Sequence, residues 1–501
     1  MYRRHFLQSS VALAAFSSCE RHAITHEQSM AKIIDLICSG QAEAAHFLAY
    51  YRSRIAEVDS ELRAVIELHP APCASHQGPL RGAPILIKDN IETCDGMLTT
   101  AGSLALLDAP TPEREAFFVT RLRESGAIIF GKTNLSEWAN IRSHDSTSGW
   151  SARGGLTRNP HNPAHTASGS SSGSAAAVAA NLCAAAIGTE TNGSIVSPAS
   201  ACGIVGLKPT IGKVSRSGII PITHWQDTAG PMTRSVRDAA LLMDAISAHD
   251  PEDALSSPPP DDANKNHTSL LSLDALRGVR LGIIRDHCGS HAGVLAEFGH
   301  AVETLKRAGA EIVDDVEIPN HRAAGSLAWK AMLTELRADL NTYLQKRGGK
   351  VRSLAELIAF NVANRSKEMP HFTQDIFEEA ERRSTPEIIA EAVKARAISR
   401  LLAGPDGIDA ALAAHRLDAL ICPTNDPAGL IDLNKGDANT RVACGPAAVA
   451  GYPHLTLPMG KADELPIGLS FISAAWSEAR LLAYGHAFEA WHQDLNSKQR
   501  S

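Results

Sequence analysis

Residues 168–209, SGSSSGSAAAVAANLCAAAIGTETNGSIVSPASACGIVGLKP, carry two loops rich in serine and glycine, joined by an alanine-rich segment. Ser170 lies in the first loop and Ser194, 24 positions further on, in the second. Small residues let backbone approach backbone and adopt unusual dihedrals, which a preorganised array of N–H donors requires. The alanine run from Ser174 to Ala180 suits a tightly packed helix, and the apolar residues after it suit a short strand ending near Gly188. The predicted order is loop, helix, strand, loop. It brings two serine hydroxyls together beside N–H donors, the parts that nucleophilic catalysis needs.

Four other patterns compete for attention. GAIIFGKT (Gly126–Thr133) satisfies the phosphate-loop spacing G-x-x-x-x-G-K-T, but its central Ala, Ile, Ile and Phe suit a buried strand. GSSSG (Gly169–Gly173) satisfies the nucleophile-elbow spacing with Ser171 at its centre. That elbow follows a hydrophobic strand, whereas NPAHTAS (Asn162–Ser168) precedes this one. SMAK (Ser29–Lys32) matches S-x-x-K with no SDN or KTG element after it. His161 and His165 are four apart, yet Pro160 and Pro163 break any helix that would align them, and no metal is expected.

Composition bounds the function. The formal charge of −7 provides no electrostatic footprint for nucleic acid or anionic lipid. Hydrophobic residues at 44% and charged residues at 21% fit a globular enzyme with a large core. The segment YRRHFLQSSVALAAFSSC has twin arginines, Arg3 and Arg4, followed by an apolar run from Val11 to Phe16. It resembles a twin-arginine export signal over residues 1–19, which implies a periplasmic enzyme. The run is too short to span a bilayer, for which about 20 residues are needed, so no stable membrane insertion is expected. The nine cysteines show no CxxC; Cys183 and Cys422 sit in apolar runs and read as small buried hydrophobes. Pairing among the cysteines and the oligomeric state stay open.

Helical spacing over residues 29–70 predicts about two helices. Predicted strands are Ile85–Lys88, Ala127–Gly131, Ile204–Leu207, Val279–Ile284, Glu311–Ile318, Leu417–Cys422 and Leu469–Ile472. Helices are predicted over Glu115–Ser125, Val236–Ser247 and Val294–Ala308. SSPPPDDANKN (Ser256–Asn266) reads as an exposed linker within one domain, and residues 320–415 read as mostly helical. The sum is an α/β fold around a mixed, largely buried sheet.

Several motifs together resemble the amidase signature family. They are GAPILIKDN (Gly82–Asn90), TTAGS (Thr99–Ser103), GKTNLSEW (Gly131–Trp138), RNP (Arg158–Pro160), GIVGLKPT (Gly203–Thr210), QDTAGPMTRS (Gln226–Ser235) and LDALICPT (Leu417–Thr424), besides the serine-rich stretch itself. The match covers roughly residues 30–490. GTETNGSI and SGWSARGG (Ser148–Gly155) look most like the bacterial peptide amidases, which remove ammonia from C-terminal peptide amides. The resemblance implies the amidase signature fold, a sheet covered by helices on both faces. It implies one domain over residues 20–495, in which about 320–415 form a variable helical region covering the substrate channel. It implies a cofactor-free reaction on a peptide or small-molecule amide.

By resemblance Ser194 is the nucleophile, Ser170 relays the proton after a cis peptide bond, and Lys88 is the base. The backbone N–H groups of Thr191, Asn192, Gly193 and Ser194 are implied to form the oxyanion hole, where losing one donor costs about 3 kcal/mol. Lys88 must be neutral to accept a proton, and Pro84-Ile85-Leu86-Ile87 before it supply an apolar setting. Lowering a lysine from about 10.4 to about 7–8 corresponds to roughly 3–4 kcal/mol. Read without the family, Lys88 would be a strand-end lysine paired with Asp89. The chain departs from the common family form, with Glu190, Asn192 and Val196 where that form has Asp, Gly and Arg. Asn tolerates positive φ, so the turn is expected to survive. Asp227 reads as orienting a loop. Alternatives are an amidase for other linear or aryl amides, one chain of a tRNA-dependent amidotransferase, an α/β-hydrolase, or an inactive binding protein of the same fold.

Overall fold

The computed structural model describes residues 28–499 apart from 74–76, 259, 261–265 and 438–440. The expected leader at 1–19, with Cys19, lies outside the described residues, as does part of the linker. Among the described residues no helix is long and apolar enough to cross a membrane. All eight described cysteines are unpaired; Cys183 and Cys422 are fully buried.

In chain order the strands are β1 (Val65–Leu68), β2 (Pro84–Lys88), β3 (Ile128–Thr133), β4 (Trp150–Ser151), β5 (Gly155–Leu156), β6 (Ala185–Glu190), β7 (Val205–Lys208), β8 (Thr228–Thr233), β9 (Arg280–Ile283), β10 (Glu311–Val313), β11 (Ala419–Pro423), β12 (His454–Ala462) and β13 (Leu465–Ile472). Eleven of them form one sheet in the order β1-β3-β2-β6-β8-β7-β12-β13-β11-β9-β10, and β4 pairs with β5 separately. The sheet is mixed: β3-β2-β6 and β10-β9-β11 are parallel, and the remaining pairs are antiparallel. Every residue of β2, β3, β6, β7, β8, β11 and β13 is buried. Successive side chains point to opposite faces, so both faces of these strands are covered. That burial explains why β2 and β11 read as apolar runs. The linker falls between β8 and β9, two strands of this one sheet.

GAIIFGKT forms β3, paired on one side with β1 and on the other with β2, as its apolar centre predicts. The alanine run becomes the helix Ser172–Ala179, packed on β2, β3, β6 and β8. Gly173 has no room for a side chain: a Cβ would collide with the carbonyl oxygens of Ala64 and Asn134. Helices Met30–Cys38 and Ala44–Leu62 fill the expected N-terminal positions.

Three differences have physical causes. β8 (TAGPMT) is unforeseen because Gly230 and Pro231 disfavour a central strand; pairing to β6 and β7 overrides that preference. β1 lies in a stretch whose spacing suggested helix. The strand expected over Glu311–Ile318 stops at Val313, with Asp315 at φ 57° breaking the extended backbone. Residues 321–415 are helical as predicted, beginning with His321–Arg347 and including Leu354–Ala363, Asp375–Glu381 and Pro386–Ala403. Leu333, Leu336, Leu340, Leu357 and Phe377 pack with Trp138, Ile220 and Ile222, so this layer has its own apolar cluster.

Candidate active site

β2 and β6 are parallel neighbours, with Ile87 opposite Ile187. Their carboxyl ends therefore emerge side by side, which places Lys88 next to the segment that leads into Ser194. The helix Ser172–Ala179 precedes β6, and the residues before it bring Ser170 and Ser171 to the same spot. A helix, two strands and two loops converge there.

Lys88 is fully buried. Its Nζ lies 2.8 Å from Ser170 Oγ, 3.0 Å from Ser171 Oγ, and 2.9 and 3.3 Å from Thr189 Oγ1 and O. The reading of Lys88 as a surface partner of Asp89 is excluded. Asp89 instead accepts hydrogen bonds from Arg153, the Thr100 hydroxyl and the Gly102 N–H. Burial pulls the Lys88 pKa down to about 7, against the opposing charges of Asp227 and Glu190. A neutral amine offers a lone pair, which one neighbouring hydroxyl must fill.

The two hydroxyls differ in what they can give. Ser171 Oγ donates to Thr189 O at 3.1 Å and accepts from Thr189 N at 3.2 Å, so its single proton is committed. Ser170 Oγ donates to no carbonyl or carboxylate among the described residues, which leaves its proton for Nζ. The elbow spacing around Ser171 is thus a coincidence of sequence, and its hydroxyl braces the loop against β6. The Gly169–Ser170 peptide bond is cis, as the resemblance implies.

Ser194 stands apart from both. Its residue is 9% exposed, whereas Ser170 and Ser171 are fully enclosed, so of the three Ser194 is the most open to solvent. The Ser171 N–H donates to the Ser194 carbonyl at 3.1 Å and ties the two loops together. No hydrogen bond joins Ser170 Oγ to Ser194 Oγ. Among the described residues, none of the N–H groups of Thr191, Asn192, Gly193 and Ser194 meets a protein acceptor. Four consecutive open donors beside a hydroxyl form an arrangement that can bind a developing oxyanion.

The turn keeps its shape by means other than the expected one. The left-handed residue is Gly193, at φ 87°, and not Asn192. A Cβ on Gly193 would lie 2.9 Å from Cys444 Sγ. Glu190 Oε2 accepts from the N–H groups of Ile195 and Val196 at 2.8 and 3.1 Å, closing the loop on itself. Asp227 orients the loop as expected: it accepts from Thr191 Oγ1 at 2.6 Å and from the N–H groups of Ile222 and Thr223 at 2.8 and 3.0 Å. Burial raises its pKa to about 6. His161 and His165 are each hydrogen-bonded to a backbone carbonyl, of Cys202 and Ala428.

Sequence reasoning missed the supports. Thr189 and Asn90, whose Nδ2 donates to Thr189 Oγ1 at 3.0 Å, carry no spacing signal. Nor does the brace from the helical layer. Arg396 bonds Gln226 Oε1 and forms a two-pronged pair with Glu335, at 2.9 and 2.6 Å. Gln226 Nε2 donates to the Thr191 carbonyl at 3.2 Å, so the layer holds the donor loop in place. Arg396→Ala leaves Glu335, which keeps only the Thr223 hydroxyl, without its cationic partner in a largely buried site and is expected to cost about 3 kcal/mol of stability. Denaturant unfolding of the variant checks this; an unchanged midpoint and slope would show that the pair contributes nothing.

The chain is similar to known proteins. The family described as Amidase matches residues 48–482. The native peptide amidase of Stenotrophomonas maltophilia is 44% identical, with a TM-score of 0.86 over 93% of this chain and 97% of that one. A probable amidase of Arabidopsis thaliana is 36% identical over 88% of this chain and 85% of its own length. A glutamyl-tRNA(Gln) amidotransferase chain of Thermosynechococcus vestitus is 34% identical over 96% of this chain and 99% of its own length.

Proposed function

The chain belongs to the amidase family and hydrolyses amides; on that premise we propose that it releases ammonia from the C-terminal carboxamides of peptides, through an acyl-enzyme on Ser194. Ser194 Oγ attacks the amide carbon while its proton passes to Ser170 Oγ, and the Ser170 proton passes to neutral Lys88. The N–H groups of Thr191, Asn192, Gly193 and Ser194 receive the negative charge on the carbonyl oxygen. The proton returns along the same path to the leaving nitrogen, and ammonia departs. Water then attacks the ester under the same base, releasing the peptide acid and restoring Ser194.

The observation that carries this reading is Lys88, buried, at about 7 and 2.8 Å from a hydroxyl whose proton is not otherwise used. The peptide amide as substrate rests on the likeness to peptide amidase, at 44% identity over 93% of the chain. The amidotransferase reading draws on the 34% identity to the Thermosynechococcus vestitus chain. Against it stand the net charge of −7 and the leader expected at residues 1–19. That leader supports a periplasmic site of action, and the helices over 320–415 are proposed to cover the substrate channel.

The test is ammonia release from dipeptide and longer peptide amides, short aliphatic amides, aryl amides and glutamine. Turnover of peptide amides at a kcat/KM at least about ten times that of the others is the expected result. Preference for aryl or short aliphatic amides would retain the chemistry and overturn the substrate.

A further inference from the structure

A second group of reactive side chains lies towards the other end of the sheet from Lys88 and has no part in the amide chemistry. Asp286 and His287 belong to the short turn Arg285–His287 that follows β9, and His321 is the first residue of the helix His321–Arg347. One ligand atom from each lies within 4.8 Å of the others. His321 Nε2 is 3.4 Å from Asp286 Oδ2, and His287 Nε2 is 4.0 Å from Asp286 Oδ1.

The hydrogen bonding around the two imidazoles leaves them ready to ligate. His321 Nδ1 is 2.9 Å from the Ile318 carbonyl oxygen, which only accepts, so Nδ1 carries the hydrogen and Nε2 presents its lone pair. A metal-bound histidine is oriented in this way, with its other nitrogen donating to a carbonyl. His287 Nε2 is buried and has no hydrogen-bond partner among the described residues. Buried polar atoms are usually satisfied, so this nitrogen is open to a ligand. Beside the group opens a cavity of about 450 Å³, lined also by Asp315 and Glu317, with room for water and further oxygen donors.

We propose that Asp286, His287 and His321 bind a divalent transition-metal ion of the zinc class. Bonds of about 2.0–2.1 Å in a tetrahedron set ligand atoms about 3.3 Å apart, so donors now within 4.8 Å of one another would draw together by up to about 1.5 Å to close the site. Arg322 and Arg441 also face His287 and oppose a cation. The site therefore favours ions that bond imidazole strongly over magnesium or calcium, which prefer an all-oxygen shell. Sequence spacing predicts no metal because these donors come from two segments with no shared local pattern. A bound ion would clamp the β9 turn to the start of the helical layer.

The experiment is a calorimetric titration of zinc into the full chain after chelator treatment, alongside His321→Ala and Asp286→Asn. One site of unit stoichiometry is expected in the parent, weakened roughly 10- to 100-fold in each variant. Zinc is also expected to raise the unfolding temperature of the parent and not of the variants, while all three release ammonia equally. Equal zinc binding by parent and variants, or none by the parent, would overturn the site; neither result bears on the amidase reading.

Discussion

Ser194→Ala is expected to reduce ammonia release on the order of 10⁴- to 10⁶-fold, down to what the donor loop and substrate binding supply without a nucleophile. The fold should be unaffected, because the Ser194 hydroxyl makes no hydrogen bond among the described residues and its backbone carbonyl still holds Ser171. Ser170→Ala is expected to be nearly as damaging, since it breaks the path to Lys88 at 2.8 Å. Ser171→Ala should fall well short of both: it removes a brace between Thr189 and the loop and no proton carrier. Single-turnover and steady-state rates of the three variants on one peptide amide test the order. Full activity in Ser194→Ala together with loss in Ser171→Ala would transfer the nucleophile to the elbow spacing and discard the relay.

The second large effect belongs to Lys88. Lys88→Met is expected to abolish turnover by a comparable factor, and the parent's pH profile should show why. The base acts only when neutral, so kcat/KM should rise about tenfold per pH unit below about 7 and level off above it. The same shift has a sign in stability. A lysine near 10.5 unfolded and about 7 folded binds more protons in the unfolded chain between those values. Its burial is therefore most costly below about pH 7, and the cost is relieved as pH rises toward 10.5. Lys88→Met removes that slope, so its stability relative to the parent should be greatest at low pH and decline across this window. Unfolding free energies at about pH 6.5 and about pH 9.5, on either side of most of the window, measure it. A flat acid limb in kcat/KM, or a pH-independent stability difference, would contradict a depressed Lys88.

Local pattern made much of this legible. Strands buried on both faces must be continuously apolar, and PILIK and the Ala-Ile-Ile-Phe run are both of that kind. Helices with one buried face announce themselves by period, as over Val236–Ile246 and Ala292–Arg307. Family motifs named Lys88, Ser170 and Ser194 because chemistry restricts the residue types at such positions. What stayed hidden depends on partners distant in the chain. β8 is a strand because β6 and β7 pair with it, not because TAGPMT favours one. Arg396 and Gln226 meet across 170 positions, and no local spacing reports that.

The sequence by itself determined which residue types were present, which segments could be buried, and that two serines and a lysine were candidates for one reaction. Tertiary structure decided what each does. Ser170 and Ser171 are adjacent and chemically identical, yet Thr189 claims the proton of one and leaves the other free. Lys88 and Asp89 are neighbours in sequence, but successive side chains of an extended segment point opposite ways, so each finds its partners on a different side. Proton ownership and pKa are set by distances of a few ångströms between segments remote in the chain, and only the packed fold supplies those distances.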